Sequence, residues 1–117
     1  MSLNEPATVP EVDAATALLL VRVGAVLLDV REPHEWQAGH VPGAVLVPLA
    51  RVSEVSSVVP AGSRVVVLCR SGNRSRVGTE VLVAQGYDAV NLIGGVQALV
   101  QLGEPLVDSQ GNAGSVL

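Results

Sequence analysis

Apolar residues gather in short runs separated by polar and glycine-rich stretches. Ala25-Val26-Leu27-Leu28 is one such run. It shows no alternation, which fits a strand buried on both faces, and it ends at Asp29. Ala44-Val45-Leu46, Arg64 to Leu68 and Ala89 to Leu92 read as further strands, with Arg64 to Leu68 the strongest. Thr8-Val9 reads as a short first strand. Pro10 suits a first helical turn, and Glu11 to about Val21 has helical spacing, with Val12, Ala15, Leu18 and Leu19 on one face. Gly24 closes that helix.

His34 to Ala38 predicts one helical turn closed by Gly39, and Val41-Pro42-Gly43 a turn. Arg51 to Val58 is weakly helical. Ser75 to Gln85 predicts a helix ending at Gly86, and Gly94-Gly95 opens a last helix from Val96 to Leu102. Strands and helices alternate throughout, the signature of βαβ units and a mainly parallel sheet of about five strands in an α/β fold. A single domain over 1–117 is expected, with a core of about 7–103. The end of the chain, DSQGNAGSVL, has little to bury, so 106–117 is expected to be a mobile tail.

Composition sharpens this picture. The chain has 117 residues, 49% of them hydrophobic, but only one Trp, one Tyr and no Phe. Its core must be built from Val, Leu, Ile and Ala. The net charge of −4 argues against nucleic-acid binding. All seven cations are arginine, which excludes a Walker-type lysine loop and Schiff-base chemistry. The apolar stretch Ala17–Val30 is broken by Arg22, Gly24 and Asp29 and does not span a membrane. The polar, acidic N-terminus shows no signal peptide, and Met1-Ser2-Leu3 has the look of a cloning remnant. With one cysteine no internal disulfide forms, so a cytoplasmic location is the default expectation.

That cysteine, Cys69, follows the strongest strand and opens the stretch CRSGNRS, Cys69 to Ser75. A free thiol has a pKa of about 8.5, lowered by a helix N-terminus or nearby cations. Both are expected here: the helix from Ser75 points its amides at the loop, and Arg70 and Arg74 add charge. Gly72 and Asn73 tolerate left-handed backbone angles, so the loop can curl and turn its N–H groups inward. Ser71 completes an anion cradle that suits a thiolate, a persulfide or a bound oxyanion. A buried core cysteine is the alternative for any single Cys. Neither His34 nor His40 stands in the local motif, so a Cys/His pair has no support, and no metal is assigned.

These residues carry a resemblance. LLDVREPHEWQAGHVPGA, VVVLCRSGNRS and GYDAVNLIGGVQAL, in that order, resemble a single-domain rhodanese of the thiosulfate sulfurtransferase type, from about Ala25 to Leu102. The resemblance implies a compact α/β fold and ping-pong chemistry without a cofactor. Cys69 would take the outer sulfur of a small anionic donor such as thiosulfate, release sulfite and carry a transient persulfide. A thiol, or cyanide in an assay, would then accept the sulfur. A sulfur-carrier or regulatory module with a protein donor or acceptor is the alternative use of the same persulfide. A phosphatase on the same fold has a Cys-x5-Arg loop, one residue longer than Cys69-x4-Arg74.

Asp29 and Arg31 end the second strand and are expected near the loop, as a structural ion pair or as ligand contacts. Glu35 is expected to pair with Arg31 or with a loop arginine and fix its direction. Trp36 reads as a packing residue and His40 as a structural hydrogen-bonding group. Gly94-Gly95 matches the family's glycine pair and is expected to let backbone pack close to the loop. Leu99 stands where the family often has Trp, a difference of packing. Arg76 reads as a surface charge able to pair with Glu80.

Overall fold

The computed structural model describes residues 9–117; Thr8 and Met1-Ser2-Leu3 lie outside the described residues. Five strands run in the order β1 (Glu11–Val12), β2 (Val26–Asp29), β3 (Val45–Leu46), β4 (Arg64–Leu68) and β5 (Asp88–Leu92). Four α-helices accompany them: α1 (Ala14–Arg22), α2 (Pro33–Ala38), α3 (Asn73–Ala84) and α4 (Gly95–Gln101). A 3₁₀ helix, Leu49–Ser57, stands where a weak helix over Arg51 to Val58 was expected. The sheet order is β1-β5-β4-β2-β3 and every pairing is parallel. The α/β class with a parallel central sheet agrees with the sequence expectation.

β4 lies at the centre, and Val65 to Leu68 are fully buried. Alternate residues point to opposite faces of a sheet, so this apolar run feeds two cores. Val65 and Val67 join Leu28, Val55 and Leu82 on the face covered by α3 and the 3₁₀ helix. Val66 and Leu68 join Leu27, Ala17, Val96 and Leu99 on the face covered by α1 and α4. Small aliphatic side chains make up most of both cores, with Tyr87 the aromatic member on the α3 face.

Two expectations near the N-terminus are corrected. Val9 is not in a strand, and Glu11–Val12 is a strand rather than the start of a helix. The free edge of β5 captures this segment: the Asn91 N–H donates to Pro10 O at 2.8 Å and the Ile93 N–H to Val12 O at 2.9 Å. Pro10, which has no N–H, is tolerated on an edge. Asp13 then caps α1 by accepting the Thr16 N–H at 2.8 Å.

The segment expected to be a mobile tail is also corrected. Val107 exchanges both backbone hydrogen bonds with His40 at 2.9 Å, and the Ser115 N–H donates to Ala38 O at 2.9 Å. Leu106 is buried in the α1–α4 core and Val116 packs against it. Polar composition hid this because the anchorage is mostly backbone, aided by one leucine. Gly39 makes it possible, since a Cβ there would collide with the backbone of Ser115. Leu106→Ala is expected to cost about 2 kcal/mol of unfolding free energy. A free tail would give a change near zero in the same denaturant titration.

Candidate active site

Asp29 ends β2, Cys69 directly follows β4, and these strands are neighbours, with Asp29 in register with Leu68. Both side chains therefore reach the carboxyl end of the sheet, where parallel α/β sheets place their ligands. The chain then reverses through 70–72. Gly72 takes φ +108°, a left-handed conformation that costs a glycine little and other residues much. Asn73, which can tolerate a left-handed conformation, does not adopt one and is the first residue of α3. One left-handed step suffices, and it starts the helix two residues earlier than the sequence suggested.

That step aims donors at the sulfur. The Gly72 N–H lies 3.1 Å from Cys69 Sγ, and the Ser75 hydroxyl donates to the same atom at 3.3 Å. Cys69 is 1% exposed, so it is buried as the core alternative would have it, yet in a polar cradle. Burial pushes the thiol pKa up. Hydrogen bonds from the Ser75 hydroxyl and from the amides of Ser75, Gly72 and Ser71 outweigh it, and the pKa falls below its ordinary value.

The loop's other side is held by α4. The Val96 N–H donates to Cys69 O at 2.8 Å and the Gln97 N–H to Arg70 O at 3.2 Å. Gly95, with φ +60°, allows this approach, because a Cβ would strike the carbonyl oxygens of Cys69 and Arg70. The close packing expected at Gly94-Gly95 is present.

The arginines are placed differently from a simple cationic cluster. Both Nη groups of Arg74 donate to Glu35, at 2.6 and 2.9 Å. Arg76 pairs with Glu11 at 2.8 Å and not with Glu80. Arg70 is exposed, and its Nε donates to Leu117 O at 2.6 Å. Among the described residues Arg70 is the one loop arginine without a carboxylate side chain on it. Hydrogen bonds, more than arginine charge, hold the sulfur.

Asp29 and Arg31 form a fully buried pair at 2.8 Å, and Arg31 Nη2 also donates to Gly39 O at 2.9 Å. This is the structural alternative for the two residues: they tie β2 to the end of α2. Glu35 pairs with Arg74, one of the two partners expected for it. It also accepts the Glu32 N–H at 3.1 Å in the capping box of α2, which fixes its direction. Trp36 stacks on His40 with ring centroids 3.8 Å apart, and His40 Nδ1 bonds Trp36 O at 2.9 Å. Neither ring is among the hydrogen-bond partners of the sulfur.

Sequence reasoning missed Glu11 and Asn91, which bond to each other beside the loop. A signal existed for Asn91, a lone amide inside the buried apolar run Ala89 to Leu92. Glu11 gave none.

With this geometry established, comparison with known proteins is informative. The model of the Rhodanese-like domain family matches residues 13–102. A sulfurtransferase of Allochromatium vinosum is 38% identical over 87 residues, covering 74% of this chain and 81% of that protein. The thiosulfate sulfurtransferase GlpE of Pseudomonas entomophila is 34% identical over 97 residues, covering 83% and 89%. The crystal structure of a rhodanese-related protein from Thermoplasma volcanium superposes with a TM-score of 0.76 at 28% identity, covering 84% of this chain and 97% of that one.

The Arg74 hydrogen bond, working against burial, holds the Glu35 carboxyl down from 4.5 to about 2, with help from the Glu32 N–H. A depressed carboxyl stabilises the fold above its unfolded pKa and loses that contribution as pH falls through the folded value. Wild type is expected to lose on the order of 1 to 2 kcal/mol between about pH 4.5 and 2 from this pair, discounted because Arg74 is over a third exposed. Glu35→Gln, less stable at neutral pH, should lack that acid-side loss. Equal losses in the two proteins, measured by denaturation at each pH, would remove the ion pair as its source.

Proposed function

The chain belongs to the rhodanese-like domain family, and from that premise we propose that it is a sulfurtransferase that carries sulfane sulfur on Cys69. The observation that carries the proposal is the cradle: Cys69 Sγ accepts the Gly72 N–H and the Ser75 hydroxyl in a nearly water-free position. Such donors favour an anionic sulfur over a neutral thiol. The relatives add support through their own activities, sulfur transfer in one and thiosulfate sulfur transfer in another.

The reaction runs in two halves. The Cys69 thiolate attacks the outer sulfur of thiosulfate and forms a new S–S bond. The donor's S–S bond breaks, and its electron pair leaves with sulfite. Cys69 then carries a persulfide anion, which fits the cradle as the thiolate did because both place negative charge at the inward N–H groups. A thiol or cyanide takes the outer sulfur and regenerates the thiolate. Ser71, Gly72, Asn73 and Ser75 form the anion loop. Arg70 is the cation that meets an anionic donor, and Arg74, fixed by Glu35, supports the loop. Asp29 and Arg31 act as scaffold.

Intact-mass spectrometry tests this proposal. Thiosulfate should add about one sulfur atom to wild type, cyanide should remove it, and Cys69→Ser should gain none, as expected of an activated thiolate. Sulfur uptake by Cys69→Ser would sink the assignment. No uptake by a folded wild type would point instead to a carrier loaded by a dedicated protein donor. Arg70→Ala should lower kcat/KM for thiosulfate about tenfold with little change in stability, the size of a lost charge contact. A neutral persulfide donor should be affected less, and an equal loss with both donors would refute the charge role.

A further inference from the structure

Resting on the sulfur-carrying role of Cys69, we propose that Asn91 is a positioning residue: its amide holds the Gly72 carbonyl and so keeps the Gly72 N–H aimed at the sulfur. Asn91 is 1% exposed on β5, between the apolar residues Val90 and Leu92. Its Nδ2 donates to Glu11 Oε2 at 2.9 Å and to Gly72 O at 3.2 Å. Both neighbours are acceptors, so the amide nitrogen must face them. The amide oxygen is then buried with no hydrogen-bond partner among the described residues.

A position that served only the core would take Val or Leu and leave no amide oxygen unsatisfied, which is costly. What the asparagine adds is one donor to the loop, at Gly72 O, and a second that ties the amide to Glu11 of β1. Gly72 has the widest backbone freedom of any residue, so its partners must set its orientation. Its carbonyl is held by Asn91 and its N–H meets Cys69 Sγ. Glu11 is held in turn by Arg76 from α3, the helix that begins at the loop. A run of polar contacts therefore leads from Arg76 through Glu11, Asn91 and Gly72 to Cys69. A solvent-open cleft lined by Glu11, Asn73, Arg76 and Ile93 flanks this run.

The other charged groups about the loop are the Arg74–Glu35 pair, Arg70 and the Asp29–Arg31 pair. Substituting Asn91 removes no hydrogen bond made by any of these groups, while Glu11 loses its amide donor but keeps Arg76. Cys69 is the only cysteine, so its ionisation can be read from the pH dependence of iodoacetamide alkylation of the whole chain. Asn91→Val suits a buried parallel strand and should fold; Asn91→Ala is the second variant. Each should raise the Cys69 pKa by about half to one pH unit and slow alkylation at neutral pH about three- to tenfold. The limiting rate at high pH should stay at the wild-type value. Tyr87→Phe, which removes a hydrogen bond to Val59 O away from the loop, should lower stability without moving the pKa.

A wild-type pKa in either folded Asn91 variant, or an equal rise in Tyr87→Phe, overturns the proposal. The alkylation involves no sulfur donor, so the two readings fail separately. Absent sulfur uptake with the expected pKa rise would refute the transfer role alone. Retained uptake with an unmoved pKa would refute the positioning role alone.

Discussion

A sulfur atom withdrawn from water keeps a negative charge only while hydrogen-bond donors face it. At Cys69 those donors are the Gly72 N–H and the Ser75 hydroxyl, and much of the neighbouring structure serves to keep them there. The left-handed turn at Gly72 directs the amide inward and sets the start of α3, which in turn places Ser75 in the first helical turn. The first amides of α4 take the Cys69 and Arg70 carbonyls, so the loop is held on its opposite side as well. Two glycines, Gly72 and Gly95, permit this density of backbone around one atom.

The sheet supplies the platform. β2 and β4 are adjacent and parallel, so their carboxyl ends deliver Asp29 and Cys69 to the same end of the molecule. The fully buried Asp29–Arg31 pair ties β2 to the end of α2 through Gly39 O, and α2 carries Glu35. Glu35 then fixes Arg74 on the other side of the loop. An ion pair so far from water is weak evidence of net stability, but removing one partner would leave a buried charge. Its value here is geometric.

The charges near the thiol show why counting arginines in a sequence misleads. Three of them stand within seven residues, yet Arg74 and Arg76 are matched by Glu35 and Glu11. The field at the sulfur is set chiefly by oriented amides and one hydroxyl, which need no net charge to stabilise an anion. Arg70 is left exposed, with its Nε on Leu117 O.

The elements were largely legible in the chain. β4 was read with its observed bounds, Arg64 to Leu68, because a long valine run ending in one thiol has a single natural placement. β2, β5, α2, α3 and α4 were placed within two residues, since hydrophobic period and glycine stops are local signals. The sequence by itself therefore determined that a thiol sits between a buried strand and a helix. It could not determine the partners. Arg74 meets Glu35 across 39 positions, Arg70 meets Leu117 across 47, and Asn91 meets Glu11 across 80. Such pairings leave no periodic trace in a chain. They arise only when folding brings distant segments together, so the tertiary structure alone decided which charges are neutralised, which distant residues hold the donor loop in place and where the C-terminal segment lies.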